Sequence, residues 1–225
     1  MNKLLSTILF FVVFSGLTIA QSFEEDMAKM EAAYQGVDDL YLEMENSIWQ
    51  DQKMEKQQNT IIQKKGALYL YKMDEAIMLI NTKYILMIDE VSKTIIYDKW
   101  TAEKAENLAK QHIPATADIL KRYPSVVYQG TAKQHKNYVL ENKNIQMSKV
   151  EISFEISTGF MRLVRYYYNP ELVDKEIYTE LKMKKIDTNP SFAASNFSEK
   201  RFITQVGNQF KGVGKYSNYA VRSAN

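Results

Sequence analysis

The stretch KYILMIDEVSKTIIY, residues 83–97, constrains the fold of this chain more than any other feature. It reads as two short strands around a polar turn, and nearly every strand position is apolar. A strand with one solvent-exposed face should alternate polar and apolar residues, because successive side chains point to opposite faces. Here Tyr84, Leu86 and Ile88 share one face, while Ile85 and Met87 share the other. Both faces need cover, as in a sheet under helices, a membrane, or a curved sheet with an element laid inside it.

The first twenty residues have the pattern of an export signal. Lys3 supplies a positive charge, the run from Leu4 to Val13 is almost unbroken apolar sequence, and small residues end at Ala20. We predict that residues 1–20 are a cleaved signal peptide and that the protein is periplasmic. The rival interpretation is an uncleaved membrane anchor, but polar residues and glycine interrupt the run, which is short for a span of about 20 apolar residues.

The composition of the remaining chain narrows its class. There is no cysteine, which is common for a periplasmic protein large enough to rely on its core. The full sequence has 29 basic residues, of which Lys3 leaves with the signal, and 27 acidic ones; both signs are intermixed, so no general attraction to nucleic acid is expected. A second hydrophobic span is absent from the sequence, so the chain should be peripheral to a membrane at most. No long linker divides it, and we predict a single domain over residues 21–225.

Periodicity predicts helices and strands in a definite order. Phe23, Met27 and Met30 recur at helical spacing in an amphipathic helix that begins near Ser22. Strands with short connections follow, which excludes a parallel sheet because the gaps are too short for helical crossovers. A helical insert is predicted next, with an apolar stripe of small residues and leucine. This stripe consists of Ala102, Ala105, Leu108 and Ala109.

Long strands complete the predicted meander. Ile152 and Phe154 fall on one face of a strand whose other face carries charges, which is typical of a half-solvated sheet. The tail after Asn189 has too many aromatic anchors for a disordered end, so we expect it to pack and to add one or two edge strands.

The residues that most catalytic sites need are missing or scattered. His112 and His135 are the only histidines, and neither has a partner at metal-ligand spacing. No G-x-S-x-G elbow is present, and the acidic pair Asp89-Glu90 falls in the predicted hairpin turn. A basic strip that includes Arg162 and Arg165 is better explained as a wet strand face than as a nucleic-acid site. The sequence therefore predicts no enzyme, no metal and no cofactor.

The order of these parts resembles the LolA-like group of periplasmic lipoprotein carriers. The resemblance is carried by the signal, the first helix, KYILMIDEVSKTIIY, the helical insert and FEISTGFMRLVRYYYNP. The closing NFSEKRFITQVGNQFKGVGKYSNYAV looks like the tail of such proteins in Bacteroidetes-type bacteria. The resemblance implies an α+β fold, with a strongly curved antiparallel sheet (an incomplete β-barrel) and helices across its concave face. It also implies an apolar cavity for acyl chains. The carriers latch their helices with an arginine on an early strand, whereas the first arginine here is Arg122.

We therefore predict a non-enzymatic protein that binds a lipid or the acyl chains of a lipoprotein. The predicted cavity lining is Phe23, Met27, Met30, Tyr84, Leu86, Ile88, Ile152 and Phe154. We expect the hairpin face that contains Leu86 to pack beneath the first helix. Its opposite face, with Met87, would be covered by the C-terminal segment or exposed for a partner. The alternative is an interaction module of an envelope assembly, with a filled core, a protein partner and no lipid ligand.

Overall fold

A computed structural model describes residues 22–101, 103–104 and 116–224. The predicted signal peptide and the predicted apolar stripe lie outside these described residues. Helix α1 covers residues 22–35, as predicted from its apolar spacing. Helix α2 is short and spans Thr116–Arg122, and a single helical turn spans Pro170–Val173. Most of the described chain is β-structure.

The strands of the first half follow one another with short connections. They are β1 (Asp39–Gln50), β2 (Lys53–Lys65), β3 (Leu68–Met73), β4 (Ala76–Ile80), β5 (Tyr84–Asp89) and β6 (Thr94–Lys99). Those of the second half are β7 (Ser125–Ala132), β8 (His135–Glu141), β9 (Met147–Glu155), β10 (Met161–Tyr168), β11 (Ile177–Asp187), β12 (Ile203–Val206), β13 (Gln209–Gly212) and β14 (Ala220–Ser223).

The strands form a large sheet whose hydrogen-bonded order is β14-β6-β5-β4-β3-β2-β1-β11-β10-β9-β8-β7. The hairpins within it are antiparallel, which confirms the predicted antiparallel meander. The pairing of β14 with β6 is parallel. β12 and β13 form a separate two-stranded hairpin. The tail therefore does supply an edge strand, as expected from its aromatic anchors.

The described residues fall into two compact units. The first unit contains residues 22–36, 47–56 and 116–182, and the second contains residues 37–46, 57–101, 103–104 and 183–224. Each unit has its own hydrophobic core. The single domain predicted for residues 21–225 stays a prediction, to be tested by unfolding.

The core of the first unit lies between α1 and one face of β8, β9 and β10. Phe23 is completely buried, and its ring meets the ring of Tyr138 edge to face at a centroid distance of 5.2 Å. In the sheet, Ile152 lies opposite both Tyr138 and Val164. The alternation predicted for β9 is therefore correct, and the buried face of this strand is the one that α1 covers.

The core of the second unit is built on the hairpin of β5 and β6. Leu86 lies opposite Leu79 on one side and Tyr97 on the other, and it has no exposed surface. The turn is held by Asp89, whose carboxylate accepts hydrogen bonds of 2.9 Å from two backbone amides of the turn. The predicted hairpin and its polar turn are thus confirmed.

The cover of this hairpin differs from the expectation. Leu86 and Ile88 pack against the C-terminal segment, which buries Phe197, Phe202 and Ile203 against them. Packing of this face beneath the first helix was therefore the wrong prediction. The physical reason is that α1 buries its own apolar face on β8 and β9, while the aromatic residues of the tail bury theirs against the hairpin.

Candidate functional site

The eight predicted lining residues divide between the two cores. Five of them belong to the core of the first unit: Phe23, Met27, Met30, Ile152 and Phe154. The other three belong to the second unit, where Leu86 and Ile88 are buried and Tyr84 packs against them. In both cores these side chains contact other side chains of the chain. A ligand role for any of them stays a prediction.

The second face of the hairpin carries exposed apolar side chains. Met87 is 55% exposed, and Ile96, directly opposite it on β6, is 40% exposed. On its other side Met87 lies opposite Met78 of β4, which lies opposite Tyr71 of β3. We call this cross-strand row of Tyr71, Met78, Met87 and Ile96 the Met87 row.

In the Met87 row, Tyr71 and Met78 are half-buried, while Met87 and Ile96 are exposed. Burial raises the pKa of Tyr71 to about 12, and this ring stacks on that of Tyr69 at a centroid distance of 6.0 Å. The two methionines between the aromatic end and Ile96 have unbranched, polarizable side chains that adapt to irregular apolar partners. Chemically, the row can bury hydrocarbon.

Part of this row was foreseen from the sequence and part was not. The prediction placed Met87 on the face opposite Leu86, covered or exposed, and the structure exposes it. Tyr71, Met78 and Ile96 were not among the predicted ligand residues. The sequence signal that indicated Met87, apolar residues on both faces of a strand, is also present on the neighbouring strands and could have indicated these three residues.

The outward face of β9, β10 and β11 is a polar site of a different kind. Arg165 donates from Nε to Glu180 at 2.6 Å, and its Nη1 lies 3.4 Å from a carboxylate oxygen of Glu151. Tyr167 and Lys149 also donate to Glu151, at 3.0 and 2.9 Å. Burial alone would raise the pKa of Glu151, but these hydrogen bonds outweigh it and hold the pKa below its usual value.

A depression of about 420 Å³ opens beside these ion pairs of Arg165, Glu151 and Glu180, which we call the ion-pair ladder. Its lining is mostly polar and includes Gln129, Asn137, Glu141, Lys149, Glu151 and Ser153. Because the basic side chains nearby are already paired with carboxylates, the predicted wet strand face is the better description of this surface. Arg162 fits the same description, since it pairs with Glu155 at 2.8 Å.

Helix α1 is held to the sheet by a polar contact inside the first core. Asp26, only 8% exposed, accepts from Nζ of Lys136 at 2.8 and 2.9 Å. It also accepts from the hydroxyl of Tyr138 at 2.6 Å, and that hydroxyl is 3.0 Å from Oγ of Ser22. Burial and the hydrogen bond to Asp26 raise the pKa of Tyr138 above its usual value. This network fixes where α1 lies on β8.

Two further observations concern chemistry and membranes. In the part of the chain that the structure describes, no group of three or more histidine, cysteine or acidic side chains could hold a metal ion. Over the same residues, no helix has both the length and the apolar character that crossing a bilayer requires.

Comparison with known proteins gives structural likeness only. No protein-family model and no curated protein matches this chain. Similar solved structures include an uncharacterized conserved protein from Thermus thermophilus, at 8% identity and TM-score 0.46, covering 90% of this chain and 99% of that one. They also include a LolA superfamily protein from Nitrosomonas europaea, at 11% identity and TM-score 0.35, covering 81% and 98%. A third is the lipoprotein LppX from Mycobacterium tuberculosis, at 7% identity and TM-score 0.43, covering 76% and 98%. Identities and TM-scores this low assign no ligand and no partner to this chain.

Proposed function

We propose that this chain is a non-enzymatic, exported binding protein that holds the acyl chain of a lipid or of a lipidated partner. The observation that carries the proposal is the Met87 row, an apolar surface on the second face of a hairpin whose first face is already buried. A strand needs only one apolar face to pack on its own core, so a second apolar face calls for a further apolar partner.

The chemistry of the row suits hydrocarbon. Each methylene transferred from water to such a surface contributes about 0.8 kcal/mol, so an acyl chain that covers Met78, Met87 and Ile96 would gain several times that amount. Two methionines adapt to a flexible chain better than β-branched side chains do, because they have more rotatable bonds.

Further parts of the proposal come from the sequence pattern. We infer a periplasmic location after cleavage of residues 1–20, and a LolA-like arrangement in which the sheet is strongly curved, with helices across its concave face. We also infer a relationship to LolA-like proteins of Bacteroidetes-type bacteria, because the residue pattern of the C-terminal segment resembles theirs.

The direct test is export and extraction. The full chain is expressed in a Gram-negative host, purified from the periplasmic fraction, and its organic extract is analysed by mass spectrometry. We expect an intact protein mass that begins at Gln21, together with stoichiometric co-purified lipid. A protein free of lipid, purified without detergent and unable to take up a fluorescent fatty acid, would contradict the proposal.

A pair of variants locates the ligand. Met87→Asp places a carboxylate in the centre of the row and should abolish lipid retention, because a charge against hydrocarbon is strongly unfavourable. Val91→Asp is the matched control, since Val91 is 67% exposed in the turn of the same hairpin and should retain lipid. Equal retention by both variants would exclude the Met87 row. Loss of a co-purified protein instead of a lipid would favour the interaction module.

A further inference from the structure

Strand β7 is a free edge of the large sheet. Within the described residues it is the last strand of the hydrogen-bonded order, and β8 is the one strand with which it pairs there. Six of its eight residues are exposed, among them Val127 at 40% and Tyr128 at 39%. The other edge strand, β14, is half as long and carries Arg222. Edge strands present unpaired backbone amides and carbonyls, which natural proteins usually protect with charges, proline or short length.

None of these protections is found within β7. Its sequence, SVVYQGTA, contains no charged residue and no proline. It has one irregularity, a bulge between Tyr128 and Gly130, where Gly130 adopts φ +94. Among the described hydrogen bonds, the side chain of Asn137 reaches the carbonyl of Gly130, and no other side chain bonds to the backbone of the strand. From Ser125 to Tyr128 the edge is therefore regular and open to an additional strand.

The charges at the two ends of β7 have the same sign. Lys121 and Arg122 end α2 just before the strand, and Lys133 follows it in the turn to β8. All three are exposed, and none of them takes part in the described ion pairs. Over residues 116–134, Asp118 is the one acidic residue. An uncharged strand is thus framed by unpaired cations.

We propose that β7 is a docking edge for an extended polypeptide segment that is uncharged in its centre and acidic at its ends. Backbone hydrogen bonds to the edge would provide affinity, and the flanking cations would select the partner and its register. A second copy of this chain fits less well. Antiparallel self-pairing would bring Arg122 of one copy towards Lys133 of the other, which is a like-charge contact. The inference rests on β7 and uses no residue of the Met87 row, so it does not depend on the proposed function.

The probe is a synthetic peptide of alternating valine and threonine, flanked at both ends by aspartate and glutamate. Its controls are the same core flanked by lysines and an acidic version with a central proline. We expect the acidic peptide to bind about tenfold more tightly than the lysine-flanked one at low salt, and the proline version to bind weakly. Hydrogen exchange should show protection of the amides of residues 125–132 on binding.

Charge reversal tests the selection directly. Arg122→Glu with Lys133→Glu should reverse the preference in favour of the lysine-flanked peptide. Lys175→Glu with Lys200→Glu changes the net charge equally at exposed lysines elsewhere and should leave the preference unchanged. Circular dichroism checks that both variants are folded. The proposal is overturned if no peptide binds, if protection maps outside β7, or if the preference does not reverse. A dimer in sedimentation equilibrium that forms through β7 would also overturn it.

Discussion

The carboxylate of Asp26 on α1 accepts a hydrogen bond of 2.6 Å from the hydroxyl of Tyr138 on β8. Lys136 of the same strand completes the contact with an ion pair of 2.8 Å. Both acceptor and donor belong to a core that is otherwise apolar, so their position decides how α1 lies on the sheet. A buried polar contact of this kind costs more to break than it contributes when intact.

Asp26→Asn should therefore destabilise the first unit by about 2 kcal/mol, because the amide leaves Lys136 without its counter-charge. Lys136 is 33% exposed and can reach water, which limits the loss. Urea unfolding measures the effect, with Asp118→Asn on the exposed side of α2 as the control. The double variant Asp26→Leu with Lys136→Met should recover part of the loss. If Asp26→Asn and Asp118→Asn are equally stable, the contact does not hold α1.

Tyr34 offers a stabilising change. Its hydroxyl is buried, and no hydrogen-bond partner for it is found among the described atoms. Its ring packs edge to face on Phe160 at 4.9 Å. Tyr34→Phe keeps this packing and removes the unsatisfied hydroxyl, so it should be neutral or raise the free energy of unfolding by about 1 kcal/mol at pH 7. A loss of stability would mean that the hydroxyl has a partner in solution.

The same tyrosine predicts a dependence on alkaline pH. Burial raises the pKa of Tyr34 from 10.0 to about 12, although the charge of Arg162 lowers it slightly. Because the folded pKa is the higher one, the unfolded chain loses its proton first, and stability falls as pH rises from about 10 to about 12. The loss for one such group is about 1.4 kcal/mol per pH unit. Tyr34→Phe should flatten this part of the stability profile, and Tyr168→Phe on β10 serves as the control.

The two faces of the hairpin can be separated by neighbouring substitutions. Leu86→Asp puts a carboxylate into a fully buried site and should cost more than 3 kcal/mol, whereas Met87→Asp, at 55% exposure, should cost less than about 1 kcal/mol. Chemical unfolding of both variants provides the measurement. If Met87→Asp is the more destabilising variant, the covered and open faces are exchanged.

Arg165 joins two carboxylates on the outward face of the sheet. Its removal by Arg165→Met would leave Glu180, which is 8% exposed, without its 2.6 Å partner, at a cost of about 2 kcal/mol. Arg165→Lys is the informative control, because it keeps the charge and loses the planar fork that reaches Glu180 and Glu151 together. Equal stability of both variants and the parent would show that solvent screens the ladder completely.

The two units should unfold together in one cooperative transition. The absence of a long linker in the sequence predicts one unfolding transition for the chain, followed by calorimetry and by the fluorescence of Trp49 and Trp100. Two resolved transitions would show that the units with separate cores also unfold separately.

Local pattern predicted much of this fold. The alternation of Val150, Ile152 and Phe154 gave the buried face of β9, and the spacing of Phe23, Met27 and Met30 gave the apolar face of α1. The sequence did not reveal β7 and β8, because SVVYQGTA and HKNYVLE have neither a clean alternation nor flanking glycine turns. These are the strands that carry the proposed docking edge.

Contacts between segments that are distant in sequence were harder to predict. The hairpin pattern showed that two apolar faces needed cover, but it contained no information on which segment covers which face. The parallel pairing of β14 with β6 depends on the whole chain and leaves no local signal. The grouping of Met87 with Tyr71, Met78 and Ile96 was missed for a related reason, since these residues meet only through the register of four strands.

The covering of the second core by the tail has a consequence for the order of events during biosynthesis. The side chain of Asn81 donates to the carbonyl of Phe197, across a sequence separation of 116 residues. A ribosome therefore finishes β3 to β6 long before the segment that shields Leu70, Leu79 and Leu86 exists. During that interval the nascent chain exposes an apolar surface, and a chaperone that binds nascent chains would recognise it. Burial of these three leucines therefore has to wait until the C-terminal segment has been made.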